Sequence, residues 1–356
     1  MRAADYPPAV PADLAERLAA RTLELVDVAS ESCEEGPLAE HVANVLRAGG
    51  VGVRDAGDGC VVAGAAAGGS AKVLLAGHLD TVPAQGNRPG RREEGWVHGL
   101  GAADMKGGLA VMLELALAGA PFGYVFFPRE ELPFTESALT PLLERDDALR
   151  AAEFAVVLEP TANAVHAGCL GNVNATWTFH GRSGHSARPW LADNAIHRLA
   201  HGVSELADVQ AREHEYDGLT FTEVVSVTRI EGGIALNVVP DVAVAKVNYR
   251  YPPGMRADEA EAWLRGLCEP YGEVSFDGHA PSGAVTVDNR YVRALTEQGV
   301  AVEPKQAWTP VAELVLAGVD AVNLGPGDPA YAHRRDERVE VAALERCYEL
   351  LEGIGG

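Results

Sequence analysis

The chain has 356 residues, of which 47% are hydrophobic, enough for two domains of ordinary size with substantial cores. Its 51 Asp and Glu outweigh 29 Lys and Arg to give a formal net charge of -22, which disfavours nucleic acid and anionic membranes as partners. A small anionic substrate is not disfavoured, because a few local arginines can hold one against the global field.

Residues 1–5 lead into a charged amphipathic stretch, not an apolar signal core, so a cytoplasmic protein is expected. The patterns at 14–29 and 38–48 predict helices. Residues 61–63 and 73–76 are short apolar strands, and the Ala/Gly stretch at 63–69 reads as a turn. The run 107–127 is almost wholly apolar but contains Glu114 and is cut by Gly119-Ala120-Pro121. It predicts a buried helix and then a buried strand, not a membrane span. Further continuous apolar strands are expected at 124–127 and 154–158. Such runs belong to strands covered on both faces, as in an α/β sheet between helical layers.

From about residue 171 the pattern changes to alternating strands at 174–180, 223–230 and 241–251, helices at 193–206 and 258–268, and a last strand at 273–276. This β-α-β-β-α-β order is ferredoxin-like. The α/β character returns after about residue 280, with a strand at 321–324 and a closing helix at 341–351. The expected organisation is therefore one domain from residues 1–170 and 281–356, with a second, 171–280, inserted in it. Cys33, Cys60, Cys169, Cys268 and Cys347 contain no C-x-x-C pair, so reduced thiols are expected, with neither disulfides nor a thiolate zinc site.

The chemistry-bearing residues collect where those strands end. The strand at 73–76 runs into Gly77-His78-Leu79-Asp80-Thr81-Val82, in which His78 and Asp80 alternate onto one side. That spacing suits Asp80 as the carboxylate orienting His78. Asp104 lies in Gly101-Ala102-Ala103-Asp104-Met105-Lys106-Gly107-Gly108, where taken alone it reads first as a helix N-cap. Glu130-Glu131 follows the strand at 124–127; two adjacent acids there repel unless cations are present, although exposed loop acids are common. Glu159 follows the strand at 154–158, and His333 follows Leu324-Gly325-Pro326-Gly327-Asp328-Pro329. Each position has an ordinary structural explanation. Together, two imidazoles and three carboxylates suit a pair of borderline cations, zinc with cobalt or manganese as substitutes.

These blocks, in this order over nearly the whole chain, resemble the metallopeptidase family of zinc aminoacylases, carboxypeptidase G and succinyl-diaminopimelate desuccinylase. Gly184-His185-Ser186-Ala187-Arg188, residues 231–241 and Asn323-Leu324-Gly325-Pro326-Gly327 are most similar to actinobacterial-type desuccinylases. The resemblance implies a zinc-exopeptidase-like three-layer α/β catalytic domain with an inserted dimerisation or lid domain, acting as a homodimer on a small N-acyl amino acid. It implies that His78 and Glu159 hold one metal, Glu131 and His333 the other, and that Asp104 bridges them. Glu130 would be the general base, Asp80 the orienter of His78, and the Asp104–Met105 peptide cis. His185 would reach into the partner's site to stabilise an oxyanion, and Asn237 and Arg250 would bind a substrate carboxylate, with Arg182 and Thr309 as further candidates. One segment departs from the desuccinylase pattern. In Ala307-Trp308-Thr309-Pro310-Val311-Ala312-Glu313-Leu314, Pro310 stands for an Asp and Glu313 for an Arg. An anion in place of a cation beside the pocket points to a paralogue, an aminoacylase, dipeptidase or other deacylase, as the alternative.

Overall fold

A computed structural model describes residues 13–355, so the reading of residues 1–5 lies outside the described residues. Its larger sheet has eight strands in the order Val53–Asp55, Val61–Gly64, Gly123–Phe127, Val73–His78, Phe154–Val157, Ala321–Asn323, Val165–Ala167 and Val302–Pro304. The four central strands run parallel. Their continuous apolar sequence has a direct physical cause. Val73, Leu75, Tyr124, Phe126, Phe154 and Val156 face one core, under the helices Leu14–Asp27, Gly36–Ala48, Gly107–Leu117 and Val341–Ile354. Leu74, Ala76, Val125, Phe127, Ala155 and Val157 face the other, under Leu139–Arg145 and Val311–Leu316. The architecture is three-layer α/β, as the sequence predicts.

Helix Gly107–Leu117 is buried on nearly every side. Its one charge, Glu114, is met by Arg21 Nε at 3.1 Å and Arg17 Nε at 3.3 Å, which offsets the cost of withdrawing it from water. No helix among the described residues is long and apolar enough to cross a membrane. The stretch expected as a turn at 63–69 instead contains a short helix, Ala65–Gly68. All five cysteines are free.

The segment 171–280 forms a second, antiparallel sheet with its two long helices, Ala195–Ala207 and Ala257–Cys268. Strands Glu273–Ala280, Gly171–His180, Val242–Tyr251 and Leu219–Gly232 lie side by side in the ferredoxin-like order. Val173, Ala175, Trp177 and Phe179 alternate with Ala243–Tyr251 neighbours to pack the helical face, while Asn172, Asn174, Lys246, Asn248 and Arg250 occupy the other. A fifth strand, Arg212–Tyr216, which the sequence does not predict, pairs with 219–223 only. Beyond Glu223 the outer edge of the long strand has no partner among the described residues. The chain passes between the sheets through two adjacent linkers, in which Cys169 and Gly283 exchange both backbone hydrogen bonds.

Candidate active site

Four adjacent parallel strands deliver the site from their carboxyl ends, where open α/β sheets bind ligands. His78 ends Val73–His78, Glu130 and Glu131 follow Gly123–Phe127, Glu159 follows Phe154–Val157, and His333 comes from the loop after Ala321–Asn323. That loop carries Gly327, where a Cβ would sit 2.6 Å from the Ala103 carbonyl oxygen, so only glycine lets it pass this close to the turn bearing Asp104. The Asp104–Met105 peptide is cis, as the resemblance implies.

The side chains converge. His78 Nε2 lies 3.0 Å from Asp104 Oδ1 and 3.6 Å from Glu159 Oε1. On the far side of Asp104, His333 Nε2 lies 3.4 Å from Oδ2 and 3.0 Å from Glu131 Oε1. Asp104 thus stands between the two imidazoles, one oxygen towards each. His78 Nδ1 is 2.9 Å from the Asp80 main-chain carbonyl, which can only accept, so Nδ1 carries a proton. In the neutral ring Nε2 therefore aims a lone pair at two carboxylates, an arrangement that needs a cation between them. Glu159 Oε1, buried and without a hydrogen-bond partner, makes the same demand. The residues fit a divalent-metal centre, and His78, Asp104, Glu130, Glu131 and Glu159 hold ligand atoms close enough to share ions.

Protons answer part of this demand when no ion is bound. Burial pulls the His78 imidazole down, but the Asp104 hydrogen bond and the charges of Glu130 and Glu159 outweigh it, leaving it well above its ordinary value. Hydrogen bonds to Asp104 and Glu131 push His333 up to about 11. Burial, then the charge of Asp104, raises Glu159 to about 7. Glu130 is held well above the carboxylate range by removal from water and by the charge of Glu159, which suits a proton acceptor working near neutrality.

Asp80 acts more widely than its spacing suggests. Its carboxylate is 3.7 Å from His78 Nδ1, farther than its own carbonyl. The carboxylate instead accepts the Glu130 and Glu131 N–H groups at 2.9 and 3.0 Å and the Ser32 hydroxyl at 2.9 Å. It fixes the turn that aims both glutamates. Glu337, which sequence reasoning overlooks, does the same for Asp104: its buried carboxylate accepts the N–H groups of Gly101, Ala103 and Asp104 at 2.9, 3.1 and 3.0 Å. Its main-chain carbonyl accepts from Gly99.

The cluster opens into a cavity of about 330 Å³ between the two sheets, lined opposite the candidate ligands by Asn172, Arg250, Lys305, Trp308 and Thr309. Arg250 and Thr309 were anticipated. Lys305, Asn172 and Trp308 were not, and no local pattern marks them. His185, Asn237 and Arg182 are exposed on the inserted segment and do not line this cavity. His185 and Asn237 do share one corner, where Gly184–His185 pairs with Val238–Val239 and Ser186 N–H donates to the Asn237 carbonyl.

Glu313 corrects an expectation. It does not face the cavity; 2% exposed, it accepts the Ser137 hydroxyl at 2.9 Å and the Thr140 N–H and hydroxyl at 2.9 and 2.7 Å, tying helix Val311–Leu316 to the 137–140 segment. It therefore repels no substrate there. Burial raises its carboxyl from 4.5 to about 7. Since the folded state holds this proton more tightly than the unfolded, ionisation favours unfolding progressively as pH rises from about 4.5 to 7, and the penalty stays constant above that. At 1.36 kcal/mol per unit this is ~3 kcal/mol. Glu313→Gln, which cannot ionise, is expected to gain stability relative to the parent between pH 5 and pH 8, by urea unfolding at each pH; an unchanged difference would count against a buried, titrating Glu313.

Residues 74–354 match Peptidase family M20/M25/M40. The chain is 39% identical over 343 residues to a Mycobacterium tuberculosis protein provisionally named succinyl-diaminopimelate desuccinylase, covering 94% of this chain and 97% of that one. It is 34% identical to the Corynebacterium glutamicum succinyl-diaminopimelate desuccinylase, covering 93% and 94%. In structure it resembles a Staphylococcus aureus tripeptidase, with a TM-score of 0.75 at 20% identity over 96% of this chain and 97% of that one. A strand-end His, Asp and Glu cluster in a three-layer α/β sheet, with these relatives spanning almost the full length, places the chain in peptidase family M20/M25/M40, as a metal-dependent hydrolase of amide bonds.

Proposed function

We propose that the chain removes a succinyl-like N-acyl group from an amino acid, using two zinc ions for which cobalt or manganese can substitute. The observation that carries this reading is the placement of Glu130, Asp104, Glu131, Glu159, His333 and the cation Arg250 around one cavity, with His78 against Asp104. His78 and Glu159 would hold one ion, Glu131 and His333 the other, with Asp104 between them. When bound, the ions polarise the scissile carbonyl and acidify water. Glu130 takes the proton of the attacking water on a carboxylate oxygen and returns it to the nitrogen of the leaving amine. Asp80 keeps Glu130 aimed through its backbone N–H, and Arg250 binds a carboxylate of the substrate. The names of the M. tuberculosis and C. glutamicum relatives support succinyl-diaminopimelate as the substrate.

The functional unit in this reading is a cytoplasmic homodimer. The open strand edge beyond Glu223 and the exposed Trp190, Leu191, Ile230, Ile234 and Leu236 lie on the inserted segment that also carries His185. A second copy covering this surface would bring His185 and Asn237 of one protomer to the other's cavity. The test is a panel on metal-loaded protein, sized by light scattering: N-succinyl-diaminopimelate, N-acetyl amino acids and simple dipeptides. Turnover of the first is expected. Failure there with turnover of another amide replaces the substrate by that of an aminoacylase or dipeptidase, and turnover of none sinks the reading.

A further inference from the structure

We propose that Lys305 is a specificity-determining residue that anchors a second carboxylate, so that with Arg250 it makes the cavity selective for dicarboxylate ligands. The proposal deepens the deacylase reading by assigning a class of acyl group or amine, although its test needs no turnover.

Lys305 follows the short strand Val302–Pro304 and is only 9% exposed, yet it lines the cavity shared by Arg250 and the ligand cluster. Lys246, by comparison, lies 2.9 Å from Asp277. Lys305 forms no ion pair or hydrogen bond of this kind among the described residues, and the Arg250 side chain is joined only to the Asn248 amide oxygen, at 3.0 Å. A mostly buried cation without a counter-ion is poorly compensated, so an anion bound in the cavity would offset that cost. Glu159 is near enough for Lys305 to lower its carboxyl, but its charge is committed to the metal in the loaded enzyme. A third observation points the same way. The Thr309 hydroxyl, buried on the same wall, has no hydrogen-bond partner. Two cations without counter-ions on the wall opposite the candidate ligands leave room for a ligand bearing one carboxylate at each end.

The test uses zinc-loaded full-length protein and length-matched acids, succinate against butyrate, by isothermal titration. Each acid offers one carboxylate to the metals; only succinate offers a second. The wild type is expected to bind succinate at least about ten-fold more tightly. Lys305→Met should erase most of that preference with butyrate affinity and metal content unchanged, and Lys305→Arg should retain it. The proposal is overturned if the wild type binds both acids alike, if Lys305→Met keeps the preference, or if it weakens both acids equally, which would mean that Lys305 acts through Glu159. Loss of the hydrolase reading would instead appear as failure of the whole substrate panel.

Discussion

Glu130→Gln is expected to lower kcat by roughly a thousand-fold while the protein keeps its full complement of metal. Gln keeps the shape and the backbone N–H that donates to Asp80, so the 128–131 turn should stay in place. What is lost is a proton-accepting carboxylate that lines the cavity and is held well above its ordinary range by burial and by the charge of Glu159. Metal analysis and steady-state kinetics on one preparation separate the alternatives, because Glu130 also lies within ligand distance of His78 and Glu159. If the variant loses an ion, Glu130 is a ligand and the proton must go elsewhere. If it keeps both metal and rate, Glu130 has no part in the chemistry.

Asp104→Ala should damage the site differently, through loss of metal, because one carboxylate serves both imidazoles. Its oxygens lie 3.0 Å from His78 Nε2 and 3.4 Å from His333 Nε2, and hydrogen bonds to the two histidines hold its carboxyl far below the ordinary range against the opposing effect of burial. Without it, two nitrogens lose their shared partner and any two ions would face each other unshielded. Loss of an outer partner of a metal site typically costs 10- to 100-fold, so removal of this group should exceed about 100-fold in kcat/KM and release at least one ion on dialysis. Full metal content after dialysis would show that Asp104 does not bridge.

The candidate cluster was legible in the sequence because each member sits at a predictable place, near the end of a continuous apolar strand or at the start of a buried helix. His78, Asp104, Glu131, Glu159 and His333 are brought together as that logic requires. The substrate wall was less legible. Lys305 and Asn172 come from separate sheets, and only the way the segments pack places them opposite the ligands. Glu313 misled for the opposite reason: a charge in a pocket-like segment was read as facing the pocket, whereas it turns into the second core and finds hydroxyls there. The strand Arg212–Tyr216 was missed because its sequence, Arg-Glu-His-Glu-Tyr, lacks apolar alternation. As an edge strand it is held mainly by the ladder to its neighbour.

Glu337 lies only four residues beyond His333, yet its carboxylate closes three bonds onto the turn that presents Asp104. The loops bearing these two candidate ligands are therefore clamped to each other and cannot loosen independently. A disturbance that swings His333 aside must also slacken Asp104, and through it the surroundings of His78. If two ions bind as proposed, such a linkage would couple the two halves of the centre in assembly: the first ion to settle would stiffen the seat of the second, and a chelator that removes one would weaken the hold on the other.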